Sequence, residues 1–192
     1  MILNRDSDKS IAHFDNQANS VFKKYLPISE LDYRWGFTVN DVGHTKIGMD
    51  SDYPLRGHPG THMFSWETGR ILEEYHFVLI TEGKGIFESE TAGTKNISSG
   101  DGFLLFPGEW HRYKPAKETG WTENWVGFSG QIPDIIMQDV FFSRKQNIIP
   151  NCSTIDSRYQ FNFLDFKVFF LKSFKTLLSP IISSIDNIKF RY

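Results

Sequence analysis

A set of metal-ligand residue types on two strand-like segments is the first candidate for chemistry in this chain. Glu74 and His76 can share one strand face, because side chains along a strand repeat every two residues. His111 could join them across a barrel, and imidazole with carboxylate ligands in an open site is typical of catalytic metals. Only one histidine lies in the first strand, however, and no second histidine replaces the missing ligand. The incomplete set predicts no bound metal and no cofactor.

A second group of residues suits a small polar ligand. Sugars bind where an aromatic face stacks on the ring and a few polar side chains satisfy the hydroxyls. Glu123 and Trp125 would project from one face of the last strand, which supports such a site. The predicted ligand-binding residues are three aromatic walls and four polar groups: Trp35, Trp66 and Trp125, with His62, His111, Tyr113 and Glu123.

Several of these residues also have a purely structural interpretation. Trp and Tyr are mostly large buried residues whose polar atom finds a backbone partner. His111 follows a Pro-Gly turn and could simply close it by bonding a carbonyl. Arg70 could pair with a surface carboxylate, which would contribute little stability.

The composition excludes several classes of function. Lys and Arg total 21 against 23 Asp and Glu, so the net charge of −2 gives no electrostatic reason to expect nucleic acid or membrane as a partner. Cys152 is the only cysteine, which excludes an intrachain disulfide and favours a reducing compartment. The sequence shows neither a signal-peptide pattern nor an apolar run of about 20 residues, so we expect a cytoplasmic protein. No Ser-His-Asp or Cys-His pairing has supporting context, and we expect no enzyme activity.

Up to residue 130 the pattern is that of an all-β protein with turns spaced as in a sandwich or barrel. Residues 1–24 are polar and predict a flexible N-terminal extension. A hairpin is expected from 74–80 through a glycine-bearing turn at 82–85 to a return strand starting at 87. An edge strand or arm is expected near 33–39, and further strands are expected near 61–66, 103–106 and 121–128.

The composition changes after Gly130. Residues 131–192 contain no Gly, Ala or Glu and hold 9 of the 18 phenylalanines. Apolar residues at helical spacing predict an amphipathic helix at about 162–178, ended by Pro180. We expect an atypical helical tail over 146–192 that packs on the barrel or serves as a dimerisation element.

An ordered set of short motifs covers about residues 25–145. Its clearest members are Gly69-Arg70-x-Leu72-x-Glu74-Tyr75, Ile80-Thr81-Glu82-Gly83-Lys84-Gly85-x-Phe87, Gly100-Asp101, Leu105-Phe106-Pro107-Gly108-Glu109-Trp110-His111-Arg112-Tyr113 and Gly120-Trp121-x-x-x-Trp125-x-Gly127-Phe128. The set resembles the N-terminal sensor domain of AraC-type transcription regulators. This resemblance implies a mainly β fold, a cupin-like double-stranded β-helix (jelly-roll barrel) over 25–145 with a C-terminal helical segment.

The same resemblance implies roles for individual residues. Tyr113, Glu123 and Trp125 fall at positions that line the sugar site in arabinose-responsive members. Trp110 and Trp121 would cover the mouth of the barrel.

Members of this family carry a helix-turn-helix domain after the sensor, and this chain ends at Tyr192 without room for one. A tail heavy in Phe, Ile, Lys, Asn and Ser is typical of an AT-rich gene read out of frame. We therefore hypothesise a frame shift around residues 145–155, with a natural stand-alone sensor as the alternative.

The sequence thus predicts the effector-binding and dimerisation domain of an AraC-type regulator, truncated before its DNA-binding domain. We expect a homodimer that binds a sugar-like small molecule and does not itself contact DNA. One alternative is a metal-dependent cupin enzyme, such as an isomerase or dioxygenase. Another is a packing or oligomerisation module whose barrel is filled by side chains.

Overall fold

Strands make up most of the described chain. The computed structural model describes residues 19–55, 64–137 and 143–152, together with the backbone of residues 11–15. These ranges contain ten strands and two short helices: β1 (Ile11–Asp15), β2 (Asn19–Tyr25), α1 (Glu30–Trp35), β3 (Thr38–Ile47), β4 (Arg70–Ile71), β5 (Tyr75–Ser89), β6 (Gly93–Ser98), β7 (Gly102–Leu105), β8 (Trp110–Pro115), β9 (Trp121–Ser129), α2 (Gln131–Ile136) and β10 (Ile148–Ile149).

The strands form two antiparallel sheets that share β5. The strand order is β1-β2-β3-β9-β5-β7-β10 in the first sheet and β4-β8-β5-β6 in the second. Residues 75–83 of β5 pair with β7 and β9, whereas residues 84–89 pair with β6 and β8. A single long strand therefore carries the chain from one sheet into the other.

Side chains from both sheets meet in one apolar core. Phe103 of β7 packs on Phe87 of β5 and on Tyr113 of β8, with ring centroids 5.0 and 5.1 Å apart. Trp121 of β9 belongs to the same cluster and is fully buried. Removal of this apolar surface from water is the main favourable term in folding. The protein is a mainly β, cupin-like jelly-roll barrel, as the sequence predicted.

The hairpin predicted around residues 82–85 is wrong, because β5 runs straight through these glycines. Gly83 has a φ of 79°, and the pairing with β9 shifts register between Ile80 and Glu82. A Cβ at Gly85 would lie 2.6 Å from the Trp121 ring. The glycines therefore bend the strand and allow an indole to approach its backbone, and they do not form a turn.

The N-terminal region also differs from the prediction. Part of the expected flexible extension forms β1 and β2, which pair with each other and with β3. The only buried side chain of β2 is Lys23, so the strand lacks the apolar alternation that would have revealed it. The strand expected at 33–39 is instead α1, capped by Ser29 and Asp32, followed by β3.

Two further segments bear on the predicted boundaries. Residues 64–66 are not a strand but enter a turn that Gly69 N–H closes on the Ser65 carbonyl (2.9 Å). The predicted helical tail begins with β10, which pairs with β7, and the helix expected at 162–178 lies outside the described residues. The domain limits at 25 and 145 stay predictions. Among the described helices, none has the length and apolar character to cross a membrane.

Candidate ligand-binding site

Three neighbouring strands build one wall of the barrel interior. Inward side chains on β3, β9 and β5 meet in rows because the antiparallel register places them opposite one another. The three rows are Thr45–Glu123–Ile80, Gly43–Trp125–Val78 and Asp41–Gly127–His76. Polar side chains thus occupy the two outer rows, and the middle row holds Trp125 between a glycine and a valine.

A small inner cavity lies against this wall. Its volume is about 30 Å³, and it is lined by Lys23, Tyr25, Asp41, Tyr53, Pro54, Phe64, Arg70, His76, Tyr113, Glu123 and Trp125. Aromatic surfaces and hydrogen-bonding groups alternate around it, which is the composition of small-molecule sites.

The structure brings together some of the residues that the sequence singled out. Tyr113, Glu123 and Trp125 line the inner cavity, and His111 lies behind it in contact with Arg70. Trp66 and Trp35 do not line this cavity: Trp66 borders a separate groove, and Trp35 lies on α1 with 69% of its surface exposed. His62 lies outside the described residues.

Glu123 is the central polar group of the inner cavity. The Tyr53 hydroxyl donates to its Oε2 atom at 3.0 Å. Burial raises the pKa of Glu123 to about 7, although the bond from Tyr53 and the charge of Arg70 oppose this shift. The carboxyl group is therefore poised to accept or donate a hydrogen bond near neutral pH.

Arg70 and His111 form the support behind the cavity. Arg70 donates from Nε to His111 Nε2 (3.2 Å) and from Nη2 to the Tyr113 hydroxyl (2.6 Å). His111 Nδ1 lies 3.1 Å from the Glu109 carbonyl, so the neutral imidazole donates there and accepts from Arg70. Burial and then the charge of Arg70 lower the pKa of His111 to about 3.

These contacts answer two questions that the sequence left open. His111 does bond a carbonyl, and its second nitrogen is also engaged, so it is not placed to bind a metal. Arg70 faces the barrel interior, with its guanidinium 4.7 Å from the Phe64 ring centre, and not the surface position that the sequence suggested.

A cluster of metal-ligand types lies at the polar end of the rows. His76 Nε2 lies 3.3 Å from Asp41 Oδ2 and 3.9 Å from Glu74 Oε1. The other oxygen of Asp41 accepts from Trp125 Nε1 at 3.0 Å, and the other oxygen of Glu74 accepts from the Asn40 amide. These outer bonds orient both carboxylates toward the imidazole, as supporting contacts do around metal sites.

The spacing of this cluster would suit one divalent cation. Its three ligand atoms all lie within 4.8 Å of one another. The sequence missed Asp41 because β3 was not recognised as a barrel strand. Gly127 leaves the room that the Asp41–His76 pair occupies, since a Cβ there would overlap Asp41 and lie 2.7 Å from His76 Nε2.

A larger outer groove lies next to the inner cavity. Its volume is about 800 Å³, and Tyr53, Trp66 and Lys114 are among its lining residues. Lys114 Nζ lies 4.1 Å from the Trp66 ring centre and the Arg112 guanidinium lies 4.2 Å from it, so cations hold this indole in place. Of the residues that the structure describes, Tyr53 is the one that borders both spaces.

Several site residues were not found from the sequence. Trp121 was expected at the barrel mouth but is 1% exposed within the core. Tyr53 lies in an irregular Pro- and Gly-containing stretch with no periodic signal, and Lys23 lies in a polar strand. Asp41, Gly43, Thr45 and Ile47 lie on one face of β3, but they share no apolar pattern from which the sequence could have revealed that face.

Comparison with known proteins agrees with this architecture. Residues 52–162 match the profile of the AraC-like ligand binding domain, which is more than half of the chain. The lactose operon transcription activator of Staphylococcus xylosus is 33% identical over 79 residues, which cover 41% of this chain and 24% of that protein. The match therefore spans about a quarter of that relative's length.

Solved structures with a similar chain path were also found. YhaK from Escherichia coli aligns with a TM-score of 0.41 at 10% identity, over 58% of this chain and 45% of that one. Oxalate decarboxylase from Bacillus subtilis aligns with a TM-score of 0.38 at 10% identity, over 73% and 30% of the two chains.

The fold and the lined cavity define a cupin-like barrel of the ligand-binding kind. The extent of the profile match makes the assignment specific: the chain belongs to the family of AraC-like ligand binding domains.

Proposed function

We propose that this domain binds a carbohydrate effector inside the barrel and is the sensing part of an AraC-type transcription regulator. The observation that carries the proposal is the convergence of the Glu123 carboxyl group, the Arg70–Tyr113 pair and the Trp125 indole on one buried cavity. A hydroxyl-rich ring needs such acceptors and donors at its rim and an aromatic surface against its C–H face. The relative's printed name, a lactose operon activator, supports a sugar as effector.

The proposal assigns the DNA-binding step to another part of a longer regulator. The net charge of −2 gives this chain no electrostatic affinity for phosphates. Effector binding would change the packing of the barrel and so bias the partner domain or a second copy of the chain in a homodimer. No catalytic step is part of this function.

A thermal-shift screen over mono- and oligosaccharides tests the proposal. A ligand that binds only the native state stabilises it by about 2.7 kcal/mol at a concentration 100 times its Kd. Trp125→Ala and Glu123→Gln should each lose most of the shift, because they remove the stacking surface and the charged acceptor. Tyr33→Ala is the matched control, since Tyr33 is 81% exposed on α1. A shift that persists unchanged in both cavity variants would contradict the proposal.

The Asp41, Glu74 and His76 cluster favours a second candidate, a metal-dependent cupin enzyme such as an isomerase or dioxygenase. A cation held there would supply Lewis-acid chemistry next to the inner cavity. Metal analysis of the purified protein discriminates the two functions. Near-stoichiometric Fe, Mn, Ni or Zn that is lost in Asp41→Asn and His76→Ala would favour the enzyme, whereas a trace content equal in all three proteins favours the sensor.

The third interpretation is a barrel that is filled by side chains and serves only for packing or oligomerisation. The size of the inner cavity bears on it. Its volume of about 30 Å³ is far below the roughly 300–1,000 Å³ of small-molecule sites. An effector can therefore enter only if a side chain that now lies inside moves out.

A further inference from the structure

Tyr53 is the side chain that separates the two cavities. Its hydroxyl reaches inward to Glu123, and its ring lies edge-on to Trp121 and to Phe64 with centroid distances of 5.9 Å in both pairs. The residue is only partly buried, because its other side faces the outer groove. It belongs to the segment 51–55, which has no helix or strand. Its place is therefore held by side-chain hydrogen bonds to Glu123 and Tyr113 and by ring contacts, and by no sheet ladder.

The volumes of the two cavities show why this position matters. The inner cavity has the polar groups but only about 30 Å³, whereas the outer groove has about 800 Å³, which lies within the range of ligand sites. Neither space alone offers both room and buried hydrogen-bonding partners. Movement of the Tyr53 ring would join them into one site.

We propose that the Tyr53 ring occupies the position that the effector's terminal ring takes on binding, and that the inner cavity and outer groove together bind a saccharide of two or more rings. This inference rests on the proposed function and extends it to a substrate class. A phenol and a pyranose are similar in size, and each presents apolar faces and a rim hydroxyl. The terminal sugar ring would give Glu123 the hydrogen bond that Tyr53 now gives.

A second buried polar group lies on the same sheet face as Glu123. Thr45 lies directly opposite Glu123 in the β3–β9 pairing and is 2% exposed. Its hydroxyl has no hydrogen-bond partner within the described part of the chain. A buried hydroxyl without a partner is unfavourable, so a ligand hydroxyl that reached Thr45 from the neighbouring inner cavity would be favoured.

The outer groove suits the following ring of an uncharged saccharide. Its described charged residues balance, with three cationic and three acidic side chains: Lys84, Lys114, Lys117, Asp52, Glu67 and Glu118. This lining offers donors and acceptors without net attraction for an anion or a cation. A neutral polyhydroxylated chain is the ligand that matches it.

The first test uses p-cresol, the free form of the tyrosine side chain. Tyr53→Ala should leave a ring-sized niche, so p-cresol should raise the unfolding midpoint of this variant more than toluene does, because toluene has no hydroxyl for Glu123. Neither compound should stabilise the wild type or Tyr33→Ala at the same concentration. Equal effects on Tyr53→Ala and on these two controls would overturn the assignment of Tyr53.

The second test compares lactose, cellobiose and maltose with galactose and glucose by calorimetric titration. At least one disaccharide should bind the wild type about tenfold more tightly than its monosaccharides. Trp66→Ala should reduce this ratio without changing monosaccharide affinity. Tyr53→Phe keeps the ring and can be used if Tyr53→Ala does not fold. It should bind the disaccharide more tightly than the wild type, because the phenylalanine ring lacks the hydrogen bond to Glu123 and is displaced more easily by the ligand.

The outcomes separate this inference from the proposed function. Monosaccharide affinity equal to that of the disaccharide, or unchanged affinities in Tyr53→Phe, would overturn the two-cavity site and leave saccharide sensing intact. Absence of binding by every sugar to both the wild type and Tyr53→Phe would overturn both.

Discussion

The barrel interior contains two regions that differ in how they are built. The apolar region has Phe87 and Phe103 at its centre. Its residues are apolar side chains on the inward face of their own strands. The polar region, with Asp41, His76 and Glu123, exists only because the register of three strands brings single residues into rows. The first region follows from composition along each strand. The polar region depends on long-range strand pairing. The apolar region therefore accounts for the stability of the barrel, and the polar region for its proposed ligand binding.

The largest effect should follow from a change in the apolar region. Phe103→Ala removes a ring that is 0% exposed and packed between Phe87 and Tyr113, so it should cost about 3–5 kcal/mol of unfolding free energy. Phe22→Ala, at a position 41% exposed on β2, is the control and should cost much less. Urea denaturation measures both. Similar losses in the two variants would contradict the division of the interior.

An intermediate effect is expected where the polar region depends on a glycine. A Cβ at Gly43 would overlap the Trp125 indole, so Gly43→Ala should displace this ring and cost about 1–3 kcal/mol. The cost should largely vanish in a Trp125→Ala background, because the obstacle is then gone. A double-mutant cycle by urea denaturation checks this. Additive losses would show that the two residues are not in contact.

The smallest effect is the pH dependence of stability in the wild type. The native pKa of Glu123 is raised to about 7, so its protonated form favours folding below that pH. The native pKa of His111 is lowered to about 3, so the unfolded chain takes up the His111 proton as the pH falls below about 6.5. Between about pH 4.5 and 6.5 the two proton uptakes cancel, and these groups together should leave stability nearly flat.

Glu123→Gln should reveal the histidine contribution. The variant keeps only the His111 term, so it should lose up to about 1.4 kcal/mol of stability per pH unit, relative to wild type, as the pH falls from 6.5 to 4.5. Urea denaturation at several pH values measures this slope difference. Parallel profiles for the two proteins would mean that Glu123 titrates normally in the native barrel.

The limits of the sequence prediction follow the same division. The mainly β fold could be predicted, because alternation and family motifs are local properties of the strands. Tyr113, Glu123 and Trp125 all line the inner cavity, and their role as ligand-binding residues stays a prediction. Asp41 and Lys23 could not be predicted, because a strand with polar inward residues has no apolar period. The glycines at 83 and 85 were misinterpreted as a turn, since the same residue type that allows a turn also allows a bulge and the close approach of Trp121.

The claim that an effector binds inside the barrel is tested most directly by the indole N–H resonances of the five tryptophans. They can be assigned with single Trp→Phe variants and followed while the most stabilising saccharide is added. The Trp121 and Trp125 resonances should shift, because these residues lie in or next to the inner cavity, while that of Trp35 on α1 should not move. A shift of Trp35 with Trp121 and Trp125 unchanged would place the ligand outside the barrel and contradict the account.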